Sequence, residues 1–369
     1  MSLDSSTLGN LARDYETDED AKSIFELFKT GSIVPFLTWH HLAELSHHQN
    51  DDVFEKRWNF LRNLPLVCFQ KTKYSESPVG SIIELRSAEI DFLLENANFD
   101  LANAIAAIRP NVCNGVETGT EFFKRNYDFW HFYRRNFSEE NMQRSARIAS
   151  ITHFPTVDFS KPLYDGGKLR TPEEARAYFS RLASTLGGKL STRGDKRLND
   201  PMGVAAELMR ETFETATPSL WEAEDPLQHI LQIYGIDKSR LPKKPTIGDA
   251  AYEGVFVGQM GIVADSMKIP RDLVLAAASQ WSMPSWKIWR FLDEHVRQDS
   301  RARGSNLTDK QLSCWGIYLD GIEVDKRMRE YIRQGTANNS IIDALSQRLI
   351  RGGTYRKLLQ ELEKINPAI

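Results

Sequence analysis

Short apolar runs alternate with amphipathic stretches over the first seventy residues. Met1-Ser2-Leu3 reads as a first strand ended by Asp4, and a helix follows over 7–14. Asp18 and Asp20 introduce a run in which Ile24, Phe25, Leu27 and Phe28 recur at helical spacing until Gly31 ends it. Residues 33–36 form a short apolar strand pattern, and Thr38 is placed to cap a helix reaching Gln49. Asn50-Asp51-Asp52 opens a helix over 53–63, and 66–69 is another short apolar strand. This alternation predicts an α/β fold with a central parallel sheet.

From about Ser75 to Ser300 helical periodicity takes over, with runs at 82–96, 99–108, 119–136, 172–186, 202–213, 250–267, 271–280 and 284–298. Strand patterns are largely missing there and no repeat of fixed period occurs, so a large all-α insertion is predicted. After Ser300 the α/β pattern returns. Thr308 is placed to cap a helix from Asp309 to about Tyr318, and 321–324 reads as a strand followed by Asp325 opening a helix. A last strand lies near 348–351, before Gly352-Gly353 and a helix over 354–365. The predicted organisation is one α/β/α domain split into 1–72 and 301–369, interrupted by the helical segment 73–300.

Composition narrows the function classes. Of 369 residues 41% are hydrophobic, enough for a sizeable core, yet no apolar run reaches the 18 residues a membrane span needs. The N-terminus lacks a basic-then-apolar export pattern, and Cys68, Cys113 and Cys314 are too widely spaced for a disulfide framework or zinc knuckle. A cytoplasmic protein without a membrane partner is expected. The net charge of -3 argues against a passive nucleic-acid coat. The segment 301–369 differs, with 12 Lys+Arg against 8 Asp+Glu; that excess suits either phosphate or ordinary solvated helix faces.

Carboxylates recur where short strands meet helices. Asp4 follows the first strand, Glu44 lies in the helix after the second, Asp309 opens a late helix, and Asp325 follows the next strand. In open parallel sheets, sites form at the carboxyl ends of strands. Gathered carboxylates repel one another unless a cation lies among them, and Mg²⁺ or Mn²⁺ prefers such oxygen ligands. Ions of this kind activate water and offset charge on a phosphodiester. Taken singly, each acid also reads as a helix cap; only their order points to a site. Asp320 precedes the 321–324 strand and would lie about 13 Å from Asp325 across four extended residues, so Asp325 is the preferred ligand and Asp320 the alternative.

Three segments resemble PIN domains. Leu3-Asp4-Ser5-Ser6-Thr7-Leu8 is similar to their opening, Phe36-Leu37-Thr38-Trp39-His40-His41-Leu42-Ala43-Glu44-Leu45 to their glutamate helix, and Thr308-Asp309 with Gly321-Ile322-Glu323-Val324-Asp325-Lys326-Arg327-Met328 to their late half. The resemblance covers roughly 1–70 and 300–355. It implies an α/β/α nuclease that uses Mg²⁺ or Mn²⁺ held by Asp4, Glu44, Asp309 and Asp325, most often on RNA. Many such proteins are toxins, so an antitoxin or other regulatory protein is a candidate partner, as is a second copy of the chain. A DNA nuclease in phage defence and an inactive PIN-like scaffold are the alternative functions.

Ser6, His40, Lys326 and Arg327 are the candidate substrate contacts, the last two because cations beside Asp325 suit phosphate. His40, Glu44 and His48 share one helical face, although the zinc spacing His-Glu-x-x-His is absent. The run from Glu121 to Arg135 interleaves aromatics with Lys and Arg. Base stacking is conceivable there, but so dense an apolar run reads first as helical core, as do Trp281, Trp286 and Trp289.

Overall fold

A computed structural model describes residues 1–48, 50–73, 77–96, 100–153, 160, 172–193, 198–220, 226–279, 282–298, 306–337 and 339–365. Among these residues the chain is mostly helical. The first part comprises α1 (Ser5–Asp14), α2 (Glu19–Lys29), β1 (Phe36–Leu37), α3 (Trp39–Ser46), α4 (Asp51–Asn63) and β2 (Val67–Phe69). Then come α5 (Ile82–Glu95), α6 (Leu101–Val112), β3 (Gly115–Glu117), α7 (Gly119–His153), α8 (Pro172–Arg193), α9 (Pro201–Leu220) and α10 (Pro226–Ile233). The helices α11 (Ile247–Met267), α12 (Arg271–Ala277) and α13 (Pro284–Gln298) follow. The chain closes with α14 (Asn306–Ser313), β4 (Ile322–Glu323), α15 (Lys326–Gly335), α16 (Ser340–Ser346), β5 (Leu349–Ile350) and α17 (Tyr355–Ile365).

Local chemistry explains most boundaries. Asp4, Asp18, Thr38, Asn50, Asp100, Thr246 and Asp325 each accept a hydrogen bond from an amide in the turn they open. Three expectations change. Thr308 falls inside α14, which spans Asn306–Ser313 and packs on α13, so it is not where the helix opens. The 73–300 segment is not all helical, since β3 pairs antiparallel with β2, Gly115 opposite Phe69. A Cβ at Gly115 would overlap the Phe69 ring, so only glycine fits that pairing.

The third change concerns the sheet. The strands form two small sheets, β1-β2-β3 and β4-β5, with β1∥β2 and β4∥β5, not a single central parallel sheet. Each named strand has only two or three residues, too few for a continuous ladder. Between the two sheets runs Met1–Leu3. Ser2 N donates to Gly321 O and Glu323 N to Ser2 O, both at 2.9 Å, a parallel bridge to β4. On its other side Phe36 N donates to Met1 O at 2.6 Å and Met1 N to Val34 O at 3.1 Å. That slanted pair is the hydrogen-bond pattern of parallel strands.

Two large cores flank these strands. One packs Leu3, Phe28, Phe54 and Trp58 with Phe122 and Trp130 of α7 and with Ile350, Leu358 and Leu362. The aromatic run of α7 therefore packs mainly as core, although Phe129 and Phe132 remain exposed. The other joins Leu85, Phe256, Trp286 and Trp289 to Trp315, Tyr318, Ile322 and Leu345, so helices from 73–300 pack on the late segment. Trp281 lies outside the described residues. A smaller cluster lies between α8 and α9. Among the described residues no helix is long and apolar enough to cross a membrane.

Candidate functional site

Asp4 leaves the Met1–Leu3 segment at its carboxyl end and caps α1. Its Oδ1 accepts Ser6 N at 2.7 Å and also meets the Ser6 hydroxyl at short range. Asp325 does the same after β4, accepting Met328 N at 2.5 Å through Oδ1 to cap α15. The capping role expected of isolated acids is therefore real for both. Each cap uses Oδ1 and leaves Oδ2 out of the cap.

Asp309 lies in the first turn of α14, half-buried. Burial raises its carboxyl well above the ordinary range, and the charges of Asp325, Asp4 and Glu44 raise it further. Those three are the acids singled out in the sequence, so residues from both ends of the chain meet in one field. Glu44 itself is exposed on α3. Asp320 stands apart from the group. It is exposed and holds Arg109 Nη2 at 2.6 and 2.7 Å, at the opposite end of β4 from Asp325. Burial works against its charge, but the Arg109 guanidinium outweighs that and lowers its carboxyl.

Glu323 is a further acid at this site. It is buried in β4, its Oε2 accepting Asp4 N at 3.1 Å and its Oε1 accepting Thr7 Oγ1 at 2.9 Å. Burial, then the Asp4 charge, pushes its carboxyl up to about 7 despite those bonds. Glu323 thus ties the start of α1 to β4 and fixes Asp4 relative to Asp325. A Cβ at Gly352 would overlap Glu323 Oε1, so a larger residue there would push this carboxylate out of its place against Thr7. In the sequence Glu323 sits inside an apolar strand pattern, which was the available signal for a buried acid.

The histidines divide. His41, buried, clamps the site from behind: its Nδ1 accepts Thr38 N at 3.1 Å, so its Nε2 carries the proton and donates to Leu3 O at 2.9 Å. Burial lowers its imidazole to about 4. His40, the candidate substrate contact, packs near Trp39 and Trp315 with Nε2 buried and unpartnered. Burial and then His41 lower it to about 3, so it is uncharged at neutral pH. His48 is exposed and accepts Asn50 N at 3.2 Å.

A cleft of about 430 Å³ opens against Asp4, Glu323 and Asp325. Ser6 and Lys326, two of the candidate substrate contacts, line it; Arg329 lines it where Arg327 does not, and Arg13, Thr354 and Tyr355 line it as well.

The position of Asp309 depends on the helical segment. Its neighbour Lys310 is buried and donates to Asp293 Oδ1 of α13 at 2.6 Å. Asp293 also accepts Arg297 Nε at 2.6 Å and Tyr252 Oη at 2.9 Å. Burial raises the Asp293 carboxyl, but Lys310 and Arg297 outweigh it and hold the group below its ordinary range.

An all-oxygen set sharing one field has the donor chemistry of a hard divalent cation. Among the described residues, however, no three His, Cys, Asp or Glu side chains are already gathered as a ligand set. Comparison with family models, with curated proteins and with solved structures gives no match to this chain.

Proposed function

We propose that this protein is a divalent-metal-dependent phosphodiesterase, an endoribonuclease of the PIN-like kind. The observation that supports this most is the Asp309 carboxyl in the first turn of α14, whose charge is opposed first by burial and then by Asp325, Asp4 and Glu44. Acids that oppose one another's charge in this way, without yet forming a closed ligand set, would be served by a cation drawn among them. On this reading the Met1–Leu3 segment and the two small sheets act as one α/β/α layer, with the acids at its carboxyl edge.

Asp4, Glu44, Asp309 and Asp325 would hold Mg²⁺ or Mn²⁺. Bound there, the ion supplies charge neutralisation for a phosphodiester under attack and acidifies water. The chain's own part is positioning. Glu323 and His41 hold the N–H and the carbonyl of the single Leu3–Asp4 peptide, and the Lys310–Asp293 pair fixes the helix that carries Asp309. Rigid support of this kind keeps acidic ligands close when their repulsion would separate them.

The test is incubation of the purified chain with labelled RNA, single-stranded DNA and duplex DNA, with Mn²⁺ or with a chelator. RNA cleavage is expected with Mn²⁺ and is lost in Asp4→Asn and Asp325→Asn. Asparagine caps helices as well as aspartate does, so both variants fold. Full activity in either would refute the assignment, and cleavage of DNA alone would change the substrate class. Mn²⁺ is also expected to raise the melting temperature of the wild type, with the effect lost in Asp309→Asn. Stabilisation without cleavage of any substrate would favour a binding module.

A further inference from the structure

We propose that the cleft beside the acidic site is a phosphate subsite for single-stranded nucleic acid, with Lys326 and Arg329 as its cationic contacts. This rests on the phosphodiesterase reading for its position, because the cleft shares Asp4 and Asp325 with that site. Lys326 and Arg329 stand three residues apart in the first turn of α15, on one helix face. Both line the cleft, and among the described residues neither is in an ion pair, whereas Arg13, which also lines it, is held by Asp14 at 2.7 Å. Arg329 Nε is in addition buried without a hydrogen-bond partner. An unmet guanidinium donor beside an acidic site is costly unless an acceptor arrives, and a phosphate oxygen is the acceptor that a fork of N–H groups fits best.

The acids in the cleft do not cancel this arrangement. Asp14 is engaged by Arg13 and by Tyr355 Oη at 2.9 Å, and Glu323 by Thr7 and the Asp4 amide, with Arg329 acting on it only through its charge and without an ion-pair contact. Asp4 and Asp325 belong to the cation site. A strand whose scissile phosphate lies at the acids would place a neighbouring phosphate over Lys326 and Arg329. A volume of about 430 Å³ is at the low end for ligand pockets, which run about 300–1,000 Å³. It suits one nucleotide of a flexible strand, not a stretch of duplex.

The experiment measures binding, not cleavage. Fluorescence anisotropy is recorded with a labelled single-stranded RNA, its DNA counterpart and a duplex, on the full chain with chelator present. The single strands are expected to bind, with affinity falling as salt rises. Lys326→Gln and Arg329→Gln each weaken binding about tenfold and flatten the dependence of log K on log salt by about 0.7. Lys124→Gln, an exposed cation of α7 away from the cleft, leaves binding unchanged. Lys326 is exposed, so its variant keeps the test valid even if the Arg329 variant fails to fold. Equal weakening by Lys124→Gln, no weakening by Lys326→Gln, or tighter binding of the duplex would each overturn the subsite. RNA and DNA arms of equal affinity indicate recognition of phosphate alone, and preference for RNA adds a contact to the 2′-hydroxyl. Loss of cleavage with binding intact would bear on the phosphodiesterase reading instead.

Discussion

Replacing Asp293 by leucine removes the acceptor that holds α14 on α13. Lys310 has a side-chain exposure of 3% and Asp293 of 1%, so their 2.6 Å pair is fully desolvated. Without Asp293 the Lys310 ammonium is left beside Trp289, and the Tyr252 hydroxyl loses its acceptor. Breaking a buried pair from one side costs about 3–5 kcal/mol. Unfolding entropy is about 2.1 cal/mol/K per residue, or roughly 0.8 kcal/mol/K for a chain of this length, so the melting temperature should fall by about 4–6 °C. Adding Lys310→Met removes the more deeply buried of the two cations that Asp293 holds, leaving the partly exposed Arg297, and should restore part of the loss. Denaturant titration of the wild type, both single variants and the double variant measures the coupling. A loss below about 1 kcal/mol in Asp293→Leu, or a double variant no more stable than that single one, would refute the reasoning. Because Lys310 follows Asp309, the single variant should also lose Mn²⁺ stabilisation.

The share of stability that His41 contributes should fall as pH drops from about 6.5 towards 4, whereas the raised Glu323 carboxyl acts in the opposite sense. His41 is lowered to about 4 by burial, so the unfolded chain binds its proton first; stability from this group is full above 6.5 and is lost through that window. Its contribution is about 3 kcal/mol, and thermal melts across this range should show the melting temperature of the wild type falling relative to that of His41→Gln as pH drops. Gly352→Ala should cost about 1–3 kcal/mol through overlap with Glu323. Urea midpoints should show Glu323→Ala and Gly352→Ala together costing less than the sum of the two, and strict additivity would contradict the predicted contact.

What the sequence determines here is local. Capping residues and apolar spacing act over three or four positions, so the helices at 82–95, 247–267 and 284–298 and the caps at Thr38 and Asn50 follow from nearest neighbours. The order of Asp4, Glu44, Asp309 and Asp325 is legible in the same way, because Asp4 and Asp325 fall where a strand meets a helix and Glu44 and Asp309 fall within helices. Their meeting is not local. The Asp4 amide reaches Glu323 across 319 residues, and Ser2 pairs with Ile322 in a bridge too short to leave a strand pattern. The Gly115–Glu117 strand escaped for the same reason: its three residues carry no alternation, and pairing with β2 alone makes them extended. Tertiary structure also decided which cations face the acids. Lys326, Arg327 and Arg329 are equivalent in composition, but the helix turns Lys326 and Arg329 to the cleft. It decided, too, that His41 rather than His40 holds the Asp4 strand, because one ring reaches Leu3 O while its neighbour turns towards Trp315. Periodicity specifies which side of an element is buried; only packing specifies what lies against it.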